Sequence, residues 1–319
     1  MEKEKIMVSI LCIAYNHEKY IKEALESFIN QKTNFKFEVI VNDDCSTDNT
    51  AEIIKEYQKK YPDVIKPIFQ KENQYSKGKR MLIDILLPVA KGKYFALCEG
   101  DDYWVDDNKL QKQVDFLENN SDYSLCVNNA IKIKNDGKKD GMILPVKHNQ
   151  ELTCEDFISG GGGFVATNSI LAPIKYTEKL PSYFDDFSID YLWQIYLSSC
   201  GRSYCFKDIM SAYRVSVENS WTDRMEKDIS KLIESNKKIV VKLNQINCEL
   251  NNKYKCVIEN KIKEIEVENI LISKEYEKLK TDQYITYIKQ LPLFNRIKIF
   301  LKINFSNLFE LLKKILRKK

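Results

Sequence analysis

Residues 7–31, MVSILCIAYNHEKYIKEALESFINQ, change hydrophobic period half-way along. From Met7 to Ala14 the run is apolar apart from Ser9 and rich in β-branched residues, the pattern of a strand buried on both faces. From Glu18 onward Tyr20, Ile21, Ala24, Leu25, Phe28 and Ile29 recur at helical spacing. The alternation then repeats. FEVIVN (37–42) reads as a strand, and 47–61 as a helix opened by Ser46 and Thr47 with Asp48 in its first turn. VIKPIF (64–69) reads as a third strand, 80–90 as a helix, KYFALC (93–98) as a fourth strand and 108–119 as a helix. Apolar strands separated by helices predict an α/β fold with a mainly parallel sheet covered on both faces.

In such a sheet ligands bind outside the carboxyl ends of the strands. Three addresses follow, and all should face one crevice: Tyr15-Asn16, NDDCSTD (42–48) and EGDDYW (99–104). The last two are acidic. Carboxylates packed so closely repel unless a cation sits between them, and hard oxygen ligands of this kind suit Mg²⁺ or Mn²⁺ with a substrate diphosphate.

Beyond residue 120 the pattern becomes antiparallel, with strands in 123–144 around the turn NDGK. Gly160–Gly163 lack the Lys-Ser/Thr of a P-loop and read as a flexible acceptor-side loop. SIDYLWQIYLSSCG (188–201) reads as an amphipathic helix stopped by Gly201, followed by two short strands around Tyr204 and Met210–Arg214.

Composition narrows the class further. Nine cysteines occur without a C-x-x-C pair and the two histidines are far apart, which disfavours zinc and a disulfide framework and fits a reducing cytosol. The net charge of +4 is uneven: residues 289–319 hold nine Lys/Arg against one Glu, leaving residues 1–288 at about −4. That distribution argues against a nucleic-acid binder. The N-terminal apolar run is too short for a targeting segment, and no stretch approaches a membrane span.

VSILCIAYNHEKYIKEALESFINQ, FEVIVNDDCSTDNTAEII and AKGKYFALCEGDDYWVDDNKLQKQVDFLE together resemble the family 2 glycosyltransferases of the GT-A fold, closely over 7–119 and more loosely to about 216. The resemblance implies a catalytic domain over 1–221, its nucleotide-sugar half at 1–107 and its acceptor half at 108–221. It implies a nucleoside pocket at Ile13, Ala14 and Tyr15, with Asp43 or Asp44 accepting from the uracil N3–H, Asp44 favoured. Cys45 stands where a glycine is usual. The D-x-D element corresponds to Glu99–Asp102, with Asp102 the expected metal ligand and Asp101 beside it on the metal or ribose; Glu99 departs from the usual Asp. Lys79, Arg80 and Arg214 are candidates to face the diphosphate, and Asp190 is the candidate base, with Asp185 and Asp186 as rivals.

The reading is an inverting, Mn²⁺- or Mg²⁺-dependent transfer from a nucleotide diphosphate sugar, a UDP-sugar by preference, to a glycan or lipid-linked saccharide of surface polysaccharide. Rival readings are a nucleotidyltransferase, which would want a basic glycine-rich loop after the first strand, and a silent GT-A scaffold.

Residues 222–319 read as a helical region with almost no Gly or Pro, ending in a basic amphipathic tail over 289–319. Ile297, Leu301, Leu308, Leu312 and Ile315 approximate one helical face. Such a face lies on an anionic membrane, placing the protein peripherally at the inner face of the plasma membrane, or packs on its own domain or on a second subunit as a homo-oligomer.

Overall fold

The computed structural model describes residues 5–144, 146–215, 217 and 221–304. The chain divides into two compact units, Met1–Glu218 and Asn219–Lys319.

In the first unit β1 (Ile6–Ala14), α1 (Ile21–Ile29), β2 (Lys36–Asp43), α2 (Thr50–Lys60), β3 (Ile65–Phe69) and β4 (Tyr94–Leu97) follow one another. Next come β5 (Tyr103–Trp104), α3 (Lys109–Asn119), β6 (Tyr123–Ile133), β7 (Lys139–Ile143), β8 (Gln150–Leu152) and α4 (Cys154–Gly160). A 3-10 turn at Thr167–Ser169, β9 (Leu171–Pro173), α5 (Asp190–Cys200) and β10 (Arg202–Arg214) complete the unit. All ten strands join one sheet in the order β3-β2-β1-β4-β9-β6-β10-β5, with β7 beside β6 and β8 beside β10. β1 to β4 pair in parallel, β9 runs antiparallel to β4 and β6, and β10 is parallel to β6. This is the mixed, helix-flanked sheet expected of a GT-A fold.

Both faces are covered, as the unbroken apolar strands require. Val8, Ile10, Cys12 and Ala14 of β1 join Ile21, Ala24, Leu25 and Phe28 of α1 in the main core. On the same strand Ser9 is buried without cost in unmade bonds, because its hydroxyl donates to Glu38 and accepts from Gly92 N.

Three expectations need correction. Residues 80–90 form no α-helix: a π-helical turn, Met81–Leu86, runs into a 3-10 turn, Leu87–Val89. Pro88 has no N–H and a fixed φ, so the regular ladder cannot continue through it. The two short strands near the end of the unit are one long strand, β10, whose pairing with β6 shifts register between Phe206 and Ile209 and again before Ser211. Irregularity of this kind absorbs extra residues without ending the strand. Gly201 does end α5, but in extended backbone (φ −178°). A Cβ there would lie 2.7 Å from the Asp122 carbonyl, so close packing is what the glycine serves.

The second unit contains α6 (Trp221–Lys227), α7 (Ile229–Glu249), α8 (Lys255–Ser273), α9 (Asp282–Gln290) and α10 (Leu293–Asn304). Val267, Ile270, Leu279, Tyr287 and Ile299 form a small core there. Leu308, Leu312 and Ile315 of the expected tail face lie outside the described residues. Among the described residues no helix is long and apolar enough to cross a membrane. All nine cysteines are free thiols; Cys12, Cys98, Cys126, Cys154 and Cys205 are buried.

Candidate active site

The ends of β1, β2 and β4 are laced together. Asp44 N donates to the Ala14 carbonyl and Gly100 N to the Ile13 carbonyl, both at 2.9 Å. The three addresses read from the sequence therefore lie side by side. A side chain at position 100 is barred: a Cβ would sit 2.9 Å from His17 Nδ1 and from Ile21 Cδ1. Ala14 is buried, Ile13 half-buried, and the Tyr15 ring is 37 % exposed at the strand end. Asn16, in the left-handed region at φ +57°, straps this turn to the next one. Its N–H donates to Ser46 Oγ at 2.9 Å and its Oδ1 accepts from Thr47 N at 2.8 Å.

The two acids that follow β2 have opposite surroundings. Asp44 accepts from two consecutive backbone amides, Gln74 N at 2.7 Å and Tyr75 N at 3.0 Å, and its carbonyl accepts from Asn73 Nδ2. It holds the loop after β3. Asp43 is also buried, yet only its Oδ2 is engaged, by Ser46 N at 3.4 Å, and its buried Oδ1 has no partner. Burial, and then the Asp48 and Asp44 charges, raise the Asp43 pKa against the Ser46 hydrogen bonds. Cys45 sits at φ +64°, which a glycine would adopt freely.

The acids after β4 divide in the same way. Asp102 is buried, its Oδ1 accepting from Arg214 N at 2.8 Å and its Oδ2 from Asn168 Nδ2 at 3.0 Å. Its pKa is pushed well up by burial and by Asp101, with Arg214 and Asn168 opposing. Asp101 lies 3.9 Å from His17 Nε2, with both side chains mostly buried. Glu99 is pushed well up by burial and then by the Asp190, Asp101 and Asp102 charges. Asp190 opens α5, where Thr167 donates its hydroxyl to Asp190 Oδ2. Burial raises the Asp190 pKa and the Thr167 hydrogen bond lowers it. Among the described residues no three His, Cys, Asp or Glu side chains form a ready-made metal cage.

The candidate cations build walls. Arg214 donates to the Asp101 carbonyl at 2.6 Å, pairs with Glu23, and stacks its guanidinium on Tyr20 (4.9 Å) and Tyr103 (4.8 Å). Arg80 is paired with Asp84 and donates to the Phe184 carbonyl at 2.7 Å. Lys79 adds its charge beside Asp84. The sequence reading missed Thr167 and Asn168. Each grips one acid, and Asn168 is itself fixed by Trp104 Nε1 and Ser211 Oγ on its carbonyl. The only signal for them was three polar residues, TNS, inside the apolar stretch FVATNSILA.

The Glycosyl transferase family 2 model matches residues 9–169, half of the chain. A Mycobacterium tuberculosis protein without assigned function is 36 % identical over 226 residues, 68 % of this chain, and the chain spans 62 % of that relative's length. An Escherichia coli relative, the UDP-Glc:alpha-D-GlcNAc-diphosphoundecaprenol beta-1,3-glucosyltransferase WfaP, is 38 % identical over 35 % of this chain and 41 % of its own. TarS 1-349 from S. aureus, crystallised with UDP-GlcNAc, superposes at a TM-score of 0.61 with 18 % identity, over 95 % of this chain and 88 % of its own. The chain belongs to glycosyl transferase family 2.

Proposed function

We propose that the protein transfers a sugar from a nucleotide diphosphate sugar, a UDP-sugar by preference, to a hydroxyl of a glycan or lipid-linked saccharide in surface polysaccharide synthesis, on the cytoplasmic side. The observation that carries the reading is that the adjacent residues Thr167 and Asn168 hold Asp190 and Asp102, which sets the candidate base beside the acidic turn at the carboxyl end of β4. WfaP, by its name, uses a UDP-sugar and a diphosphoundecaprenol-linked acceptor.

In this reading Asp190 Oδ takes the acceptor hydroxyl proton while the acceptor oxygen forms its bond to the anomeric carbon. The bond from that carbon to the diphosphate oxygen breaks, the nucleoside diphosphate leaves, and the anomeric centre inverts. A base with a raised pKa is suited to this task. Asp43, through its unpartnered Oδ1, accepts from the uracil N3–H, and Tyr15 lies against the nucleoside; Asp44 is reassigned to loop support. The donor set is hard oxygen, and with both Asp102 oxygens taken by Asn168 Nδ2 and Arg214 N, Asp101 is the acid beside it that suits a divalent cation. Asp101 would hold Mn²⁺ or Mg²⁺ together with the substrate phosphates, and the bound ion supplies charge neutralisation of the leaving diphosphate. Asp102, with both oxygens engaged, positions Asp101.

The test is a panel of UDP- and GDP-sugars incubated with the full chain and Mn²⁺, read by calorimetric binding and by release of nucleoside diphosphate. Binding of a UDP-sugar with slow hydrolysis is expected. Absence of any nucleotide binding would overturn the reading, and Asp190→Asn should lose turnover while keeping donor binding.

A further inference from the structure

We propose that α10 docks on an anionic lipid surface through a face that the second unit leaves outward. At about 100° per residue, Leu293, Phe294 and Ile297 fall within one arc of α10 about 100° wide. They are 68 %, 76 % and 48 % exposed. The opposite side is the one that packs, with Ile299 buried in the small core and Ile303 against it. Among the described residues, α10 therefore carries two apolar faces, and the small core covers the one with Ile299. Single exposed apolar residues are ordinary, but three neighbours on one arc form a patch that water does not favour.

Charge identifies the occupant. On the helix wheel Arg296 flanks the arc on one side and Lys298 on the other, both exposed. No Asp or Glu occurs between Asp282 and Glu310, and Lys313, Lys314, Arg317, Lys318 and Lys319 follow in the sequence. An apolar arc bordered by long cationic side chains matches a bilayer interface, where the arc enters the acyl boundary and the cations reach anionic headgroups. A second copy of the same face would set cation against cation, which disfavours self-pairing. A nucleic acid would satisfy the charges and leave the apolar arc wet. Ile297 and Leu301 of the face read from the sequence belong to α10, and Ile297 is on the exposed arc. The inference is independent of the donor chemistry.

The experiment is flotation of the full chain with vesicles of phosphatidylglycerol and phosphatidylcholine in equal parts, against phosphatidylcholine alone. Binding to the anionic vesicles, weakened by salt, is expected. The double variant Phe294→Ser/Ile297→Ser should bind at least ~10-fold more weakly, since two apolar side chains lose their burial. The variant Arg296→Glu/Lys298→Glu should lose the preference for anionic lipid, while circular dichroism and nucleotide binding stay unchanged in both. No flotation with anionic vesicles, or wild-type flotation by both variants, overturns the proposal. So does a full-chain dimer in solution that Phe294→Ser/Ile297→Ser converts to a monomer, because a second copy then covers the face.

Discussion

Two acid pairs stand at the carboxyl edge of the parallel strands, Asp43-Asp44 after β2 and Asp101-Asp102 after β4, and they are built alike. In each, the second acid accepts two hydrogen bonds from a segment far away in sequence: Gln74 N and Tyr75 N for Asp44, Arg214 N and Asn168 Nδ2 for Asp102. In each, the first acid is left with acceptor capacity, a buried Oδ1 without a partner on Asp43 and, on Asp101, a carboxylate 3.9 Å from His17 Nε2. A buried carboxylate is tolerated when donors replace its water. One acid of each pair is thus tied down and the other keeps acceptor capacity, a division that adjacency in the sequence hides.

The sharpest way to break that comparison is to exchange the roles by mutation. Asp101→Asn should lower kcat/KM by about 10²–10³-fold, the size of losing one preorganised charge-stabilising group, with the melting temperature unchanged. Chelation by EDTA should have a comparable effect on the wild type and Mn²⁺ should reverse it. Asp102→Ala should instead unfold more easily, by roughly 1–3 kcal/mol for each orphaned donor, read in urea melts. If Asp101→Asn melts early and Asp102→Ala does not, the assignment is inverted.

Thr167 offers a finer cut, because it touches the proposed base without touching either pair. Its hydroxyl donates to Asp190 and favours the ionised carboxylate. Without it the Asp190 pKa rises, so the acid limb of the kcat profile should move to higher pH in Thr167→Val, by about one unit for one hydrogen bond to a charged group. Activity should fall most at low pH, and Thr167→Ser should restore the wild-type limb. A uniform loss at every pH would make Thr167 merely structural.

Asp43 separates binding from stability. Its folded pKa lies above the ordinary 3.8, mainly through burial, so the native state holds this proton more tightly than the unfolded chain. The wild type therefore loses stability as pH rises from about 3.8 through the folded pKa. Asp43→Asn lacks that loss: it should match the wild type below this window and exceed it at neutral pH. Its UDP affinity should drop by about tenfold, the loss of one charge-assisted hydrogen bond. Asp44→Ala should give the reverse, a destabilised loop after β3 with a smaller change in affinity.

The local code was legible: β1, α1 and β2 follow from apolar period, the meeting of the three turns from the strand-end rule, and α2 is present but opens at Thr50 after Asn49 rather than at Thr47. What was not legible depends on partners remote in sequence. Asp102 is sealed by Asn168 and Arg214, 66 and 112 residues away, and Asp44 by amides 30 and 31 residues on. Nothing in DD distinguishes the member that such partners will reach. Arg80 and Arg214 are candidate diphosphate ligands in a string of letters; the ion pairs they make with Asp84 and Glu23 could not be read there.

The smallest test bears on how the two pairs are turned. Before Asp101 the chain has Gly100, required because a Cβ would strike His17 and Ile21. After Asp44 it has Cys45, at φ +64°, where the requirement is conformational and the residue is not glycine. A side chain in the left-handed region costs about 1–2 kcal/mol, while glycine costs about 0.4–1 kcal/mol in extra unfolded-chain entropy. Cys45→Gly should therefore stabilise the protein by about 0.5–1 kcal/mol and leave UDP affinity unchanged, measured by urea denaturation and calorimetry. A β-branched residue should act oppositely, Cys45→Val destabilising the turn and loosening the Asn16 strap beside it. Were Cys45→Gly neutral or destabilising, the thiol would be contributing contacts that outweigh its strained backbone, and the two turns would be alike in using the side chain, or its absence, for packing.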